Sequence, residues 1–227
     1  MSEPRGQDIA VRIWDLPIRL VHWMLVLLVA TSWFTGKYGA LDWHRWSGYA
    51  ILTLVLFRIY WGFAGSSTAR FADFLRGPHA VWGHSKTLFG RLGGKTTGHT
   101  PIGGWGIVTM LFLLLVQSGL GLFAVDVDGI ESGPLSDLVS FDTGRYLARW
   151  HGKIVNILLV FIFLHLAAIL HYAFYKRENL TAAMLTGVKR LPPGTAPAVS
   201  VVKLWRAIVG LAAVGLVVAA VVTRLQF

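Results

Sequence analysis

Apolar residues in this chain come in long blocks. No formal charge interrupts residues 20–36, 96–125, 154–175 or 207–223, and a further block, 46–59, is broken only by Arg58 before it continues as 60–69. Crossing the hydrocarbon core takes about 20 mostly apolar residues. The pattern therefore predicts an all-α, polytopic membrane protein with spans at about 16–35, 41–63, 105–125, 150–174 and 205–223. Polar punctuation agrees. Asp15 can cap the first helix, with Pro17 in its first turn, and Gly36 can stop it. Residues 64–101 read as a basic, glycine-rich loop in which "ARFADFLRGPHAVWGH" lies on the surface, and "LPPGTAP" reads as a linker. The chain divides into a four-helix unit, 1–190, and a linker with a fifth helix, 191–227.

Charge adds orientation. Of the 21 Lys and Arg, six (Lys37, Arg45, Arg145, Arg149, Lys153, Arg224) fall on the side opposite the N-terminus and fifteen on the N-terminal side. Lys and Arg concentrate in cytoplasmic loops, so the N-terminus is expected inside and the C-terminus outside. The excess of ten positive charges follows from that topology and calls for no nucleic acid. Tryptophans agree: Trp33, Trp43, Trp46 and Trp150 mark one interface, Trp14, Trp61, Trp105 and Trp205 the other. The first apolar run lacks a cleavage pattern and reads as a retained anchor. Cysteine is absent, which excludes disulfides, cysteine-held iron–sulfur clusters and covalent c-type haem on this chain.

The stretch "RWHGKIVNILLVFIFLHLAAILHY" places His151, His165 and His171 in or at the ends of one span, where polar rings are expensive and functional by default. His151 and His165 are 14 residues apart, about 21 Å along a helix and about 40° round it, so they share a face. His171, six residues on, is turned about 240° away. By depth, His44 matches His151 near the outer surface and His22 matches His165 near the inner. Two imidazoles facing across a helical bundle suit a planar iron macrocycle with two axial ligands. Arg58, 14 residues from His44, lies at the inner depth, where a haem propionate would offset its charge. Gly48, Gly119, Gly121 and Gly152 would let backbone approach a flat cofactor. His79, His84 and His99 are expected to be solvated.

At "DLPIRLVHW", "HRWSGY", "FRIYWGFAGS", "GHTPIGGWG" and the three-histidine stretch, the chain resembles the prokaryotic cytochrome b561 family, which includes the b-type cytochrome subunit of nickel–iron hydrogenases. Four motifs, with "HRWSGY" and the "FRIYWGFAGS" that follows it taken as one, occur in order over about residues 11–190, with Thr100 where the family often has Asn. The resemblance implies a four-helix core with two haem b groups and electron exchange with quinone. Its ligand positions fall on His22, His44, His151 and His165, as depth alone suggested.

The expected function is a transmembrane two-haem b-type cytochrome in the bacterial inner membrane. It would carry electrons between a periplasmic redox partner, a cytochrome c or hydrogenase-like subunit, and the quinone pool. An electron-transfer subunit is expected rather than a stand-alone enzyme, because iron held by two histidines has no open position. The acids Asp126, Asp128, Glu131, Asp137 and Asp142 could steer a basic partner. Quinone is expected near His171, Arg19 and Arg58. Gly215, Ala219 and Thr223 form a small-residue face on the fifth helix for close helix packing, which could meet this bundle, a second copy or another subunit. Alternatives are a histidine-based proton or ion pathway, which would need acids or broken helices at mid-membrane, and a passive anchor for a peripheral enzyme.

Overall fold

The computed structural model describes residues 8–87, 90, 98–128, 130–193, 200 and 202–223. Arg5, Arg91, Lys95, Arg224 and residues 194–197 of the linker lie outside the described residues. Helices dominate, in the order α1 Leu16–Lys37, α2 Leu41–Ala64, α3 Phe71–Phe74, α4 Pro78–Thr87, α5 Pro101–Phe123, α6 Phe141–Phe174, α7 Leu180–Thr186 and α8 Leu204–Thr223. Five of these, α1, α2, α5, α6 and α8, are long and apolar enough to cross a membrane. The surface-lying segment resolves into the short α3 and α4. The expectation of an all-α fold holds apart from one small ribbon, β1 Ile9–Arg12 paired antiparallel with β2 Val188–Leu191. Strands of four residues are too short for their alternation to be read in sequence.

Local chemistry explains the helix ends. The Ile18 N–H donates to Asp15 Oδ1 at 2.9 Å, so Asp15 caps α1 as expected. The same arrangement opens α5: the Gly103 N–H donates to Thr100 Oγ1 at 3.0 Å, with Pro101 in the first turn, four residues before the predicted start. Ser140 caps α6 at the Thr143 N–H, 3.3 Å. The fourth span thus begins at Phe141 rather than near 150, and at 34 residues it is about 51 Å long against a core of about 30 Å. Its first turns carry Asp142, Arg145 and Arg149, which is why hydropathy placed its start too late. Gly36 does not stop α1; the helix runs on to Lys37, and the turn is made by Gly39 at φ +78°. That left-handed backbone suits glycine.

Helices α1 and α2 pack side by side, α5 lies between α2 and α6, and α8 rests on α2. Ile51 and Val55 of α2, Leu111, Leu113 and Leu114 of α5 and Leu158 of α6 form the central core. A second cluster closes the N-terminal end, where Ile13, Trp14, Ile18 and Val21 meet Phe57, Trp61, Ala183 and Leu191. On α8 the packed face is Ala207, Gly210, Val218 and Val222, while Ala219 and Thr223 are exposed. Of the small-residue stripe read from sequence, Gly215 is partly buried, with a Cβ there 4.0 Å from Thr53 of α2, while the rest of the stripe points away from the bundle. Gly210 faces the bundle, because a Cβ there would meet the Tyr60 ring at 2.2 Å. The seam between α6 and the α1–α2 pair is different. Backbones hardly approach across it.

Candidate functional site

Two histidine pairs bridge that seam. His44 of α2 and His151 of α6 have ring centres 5.8 Å apart, with planes at 86°. His22 of α1 and His165 of α6 are 6.4 Å apart, at 56°. Both pairs are those that depth and helical angle predict. His151 is not at the start of its helix but nearly three turns inside it, still at the level of the first turn of α2.

Backbone carbonyls hold the outer pair. His44 Nδ1 is 2.8 Å from the Ser32 carbonyl, with the Ser32 hydroxyl at 3.2 Å. His151 Nδ1 is 2.9 Å from the Gln117 carbonyl. A carbonyl only accepts, so each Nδ1 carries the proton and each Nε2 keeps its lone pair, the arrangement found at metal-bound histidines. Gly36 makes room for His44, since a Cβ there would stand 2.8 Å from Nδ1. Gly121 does the same for His151 at 3.0 Å from Cε1, whereas nothing lies within 4 Å of a Cβ at Gly48, Gly119 or Gly152. Both rings line a cavity of about 280 Å³ with Trp33, Gly48, Gln117 and Gly121. Arg45 lines its mouth and is paired with Asp42 at 2.6 Å and with Glu131 of the acidic loop.

The inner pair is held by packing. His22 stands edge-on to Trp23 at 5.0 Å, and its Nδ1 is buried without a hydrogen-bond partner. Arg58 is buried near this level, 6% exposed, with its guanidinium 5.1 Å from the Phe71 ring centre. Arg19 is committed elsewhere: it donates to the carbonyls of Met184, at 3.3 Å, and Leu185, tying α1 to α7. His171 turns away as expected and stacks on Tyr175 at 5.1 Å.

The three loop histidines differ. His79 is exposed. His84 is partly buried beside the Tyr172 hydroxyl at 3.3 Å, and burial, then the Lys176 cation, lowers its pKa. His99 is not solvated. It sits between Trp14 at 4.5 Å and Phe74 at 4.4 Å, and burial, then the Arg58 cation, pulls its pKa down to about 3. Sequence reasoning missed His99 because its neighbours are aromatic residues distant in the chain. It missed Ser32 and Gln117 because they act through the backbone. It counted Arg45 only as a loop charge, although its place directly after a candidate ligand was a signal that could have found it.

Spacing tests the macrocycle. Two imidazoles on opposite sides of one metal, with bonds of about 2 Å, place their ring centres roughly 6 Å apart. Both pairs meet that value. Among the described residues no group of three or more His, Asp or Glu could hold a bare ion. Two facing donors per site suit an iron that arrives with its other donors in a flat ring. The residues fit haem.

Comparison with known proteins agrees. The model of the family described as prokaryotic cytochrome b561 matches residues 13–187. The probable Ni/Fe-hydrogenase B-type cytochrome subunit of Azotobacter chroococcum mcd 1 is 24% identical over 219 residues, covering 82% of this chain and 91% of that protein. The protein of the same name from Azotobacter vinelandii is 23% identical over the same shares. No solved structure matches. Since the family match takes in most of the chain and every member of both histidine pairs, the chain belongs to the prokaryotic cytochromes b561 and is a membrane b-type cytochrome of electron transport.

Proposed function

We propose that the chain holds two haem b groups, the inner on His22 and His165 and the outer on His44 and His151, and conducts electrons across the inner membrane. The observation that carries this reading is the pair of facing imidazoles at each end of one seam, 5.8 and 6.4 Å between centres. Haem held by these two pairs of imidazoles would supply one-electron redox chemistry. The chain's own part is to fix the rings and to keep water from the seam. His44 and His151 keep Nε2 directed to one axis because Ser32 and Gln117 hold the opposite nitrogen. Arg45, held by Asp42 and Glu131, ties the acidic loop to α2 beside the outer cavity.

With the N-terminus inside, the outer pair faces the periplasm and the inner pair the cytoplasmic surface. Electrons then pass between a periplasmic partner and quinone at the inner end, near His171 and Arg58. Arg19 is the weakest of the three quinone candidates, because its guanidinium already serves two carbonyls. The names of the two relatives support a hydrogenase-like partner, with cytochrome c as the other candidate. Asp128, Asp137 and Asp142 remain exposed to steer it, while Glu131 is engaged by Arg45. The exposed Ala219 and Thr223 edge of α8 is offered to a second copy or subunit.

The purified protein is expected to show a b-type visible spectrum with two reducible haems per chain. A colourless preparation from haem-replete cells would sink the proposal. Gly36→Ala supplies a local test. It pushes the His44 ring off the Ser32 carbonyl, and losing such a support weakens metal binding about 10-fold or more. Haem titration should show a weakened outer site beside a normal inner one; equal affinity at both sites would show that Gly36 does not shape the pocket.

A further inference from the structure

The inner end of the bundle carries a buried cation that the neighbouring Asp15 carboxylate attracts through space, yet one of its nitrogens has no hydrogen-bond partner. Arg58 is 6% exposed, and its Nη1 is sealed from solvent without a hydrogen-bond partner. Phe71 below it offers a ring face but no lone pair. The carboxylate of Asp15 is already occupied by the Ile18 N–H, Trp61 Nε1–H at 2.9 Å and the Ser66 hydroxyl at 2.5 Å. A buried charge is retained only where it is paired.

His99 reaches the same place from the segment that leads into α5. Its ring as a whole is half-buried, yet Nδ1 is closed off from solvent and has no partner. The stack between Trp14 and Phe74 fixes the ring plane. Burial and the neighbouring Arg58 charge keep this imidazole neutral, so it has one N–H to give and adds no second cation. Two unpaired polar groups thus sit together, one a charged planar fork and the other a rigid neutral ring. That combination fits a carboxylate, which an arginine fork binds side-on.

The level is that of the inner pair. Ile18 and Val21, which flank His22 on α1, pack in one cluster with Phe57 and Trp61, which flank Arg58 on α2. We propose that Arg58 and His99 together form a receptor for a carboxylate, and that this carboxylate is a propionate of the inner haem. The inference rests on the two-haem reading above and adds His99 as a cofactor-binding residue.

The test uses the full chain in detergent, produced with haem carrying ¹³C at the propionate carboxyls, and compares wild type with Arg58→Gln, His99→Phe and His99→Gln. Removing a donor leaves the propionate charge less compensated and favours ferric iron. Arg58→Gln should therefore lower the inner midpoint potential by about 59 mV, a tenfold change for a one-electron couple. His99→Phe should lower it by less, and the outer couple should not move. The labelled carboxylate band in the oxidised-minus-reduced infrared spectrum should shift in both variants, and His99→Gln, which keeps a donor, should return it toward wild type. Labelled bands unchanged in both variants would overturn the proposal, even if the potential moves, because the anion would then be something else, such as a lipid phosphate. Wild-type protein without haem would instead fail the two-haem reading itself.

Discussion

Replacing His44 with alanine is expected to halve the haem content, from two per chain to one, and to leave the inner couple with its wild-type spectrum and potential. His151→Ala should do the same, and His22→Ala or His165→Ala should remove the other haem. The expectation follows from the separation of the two pairs, about 21 Å along α6 for residues 14 apart. No ring is shared between them. His44 is held by Ser32 of α1 and His151 by Gln117 of α5, while the inner pair leans on Trp23 and the aromatic cluster at the other end. Losing one imidazole removes a proposed ligand and leaves the central core of α2, α5 and α6 untouched. Haem extraction assays and redox titration of the four variants check the outcome. Loss of both haems from one substitution, with helix content intact, would contradict the pairing.

Asp15→Ala should cause the largest loss of stability of any single polar substitution at the inner end. Its Oδ1 caps α1 and its Oδ2 accepts from Trp61 and Ser66, both of which are 1% exposed. Removing a helix cap costs about 1 kcal/mol, and each buried donor left without an acceptor costs about 1–3 kcal/mol. The sum is about 3–7 kcal/mol. Asp15→Asn retains the cap and should lose roughly half as much. Thermal or denaturant unfolding in detergent measures both. A loss under about 1 kcal/mol for Asp15→Ala would mean that Trp61 and Ser66 find other partners.

Much of the site was legible because membrane helices obey simple geometry. Continuous apolar runs set the number of spans, and a rise of 1.5 Å and a turn of 100° per residue then assign depth and face. That arithmetic pairs His44 with His151 and His22 with His165, and it turns His171 aside. Helix ends were legible only where a cap was sought. Asp15 was; Thr100 and Ser140, which obey the same rule, were overlooked because hydropathy drew the boundaries.

What the sequence by itself determined is the list of spans and the two pairs of rings. These depend on composition and on the regular repeat within single helices. Tertiary structure alone decided how the rings are held and what surrounds them. The carbonyls of Ser32 and Gln117 have no side-chain signature, and Gly36 matters only because His44 of another helix leans against it. His99 reads as a loop residue until Trp14 and Phe74 close on it. Contacts of this kind join residues far apart in the chain, so no periodicity within one segment can encode them; only the packing of one helix against another sets them.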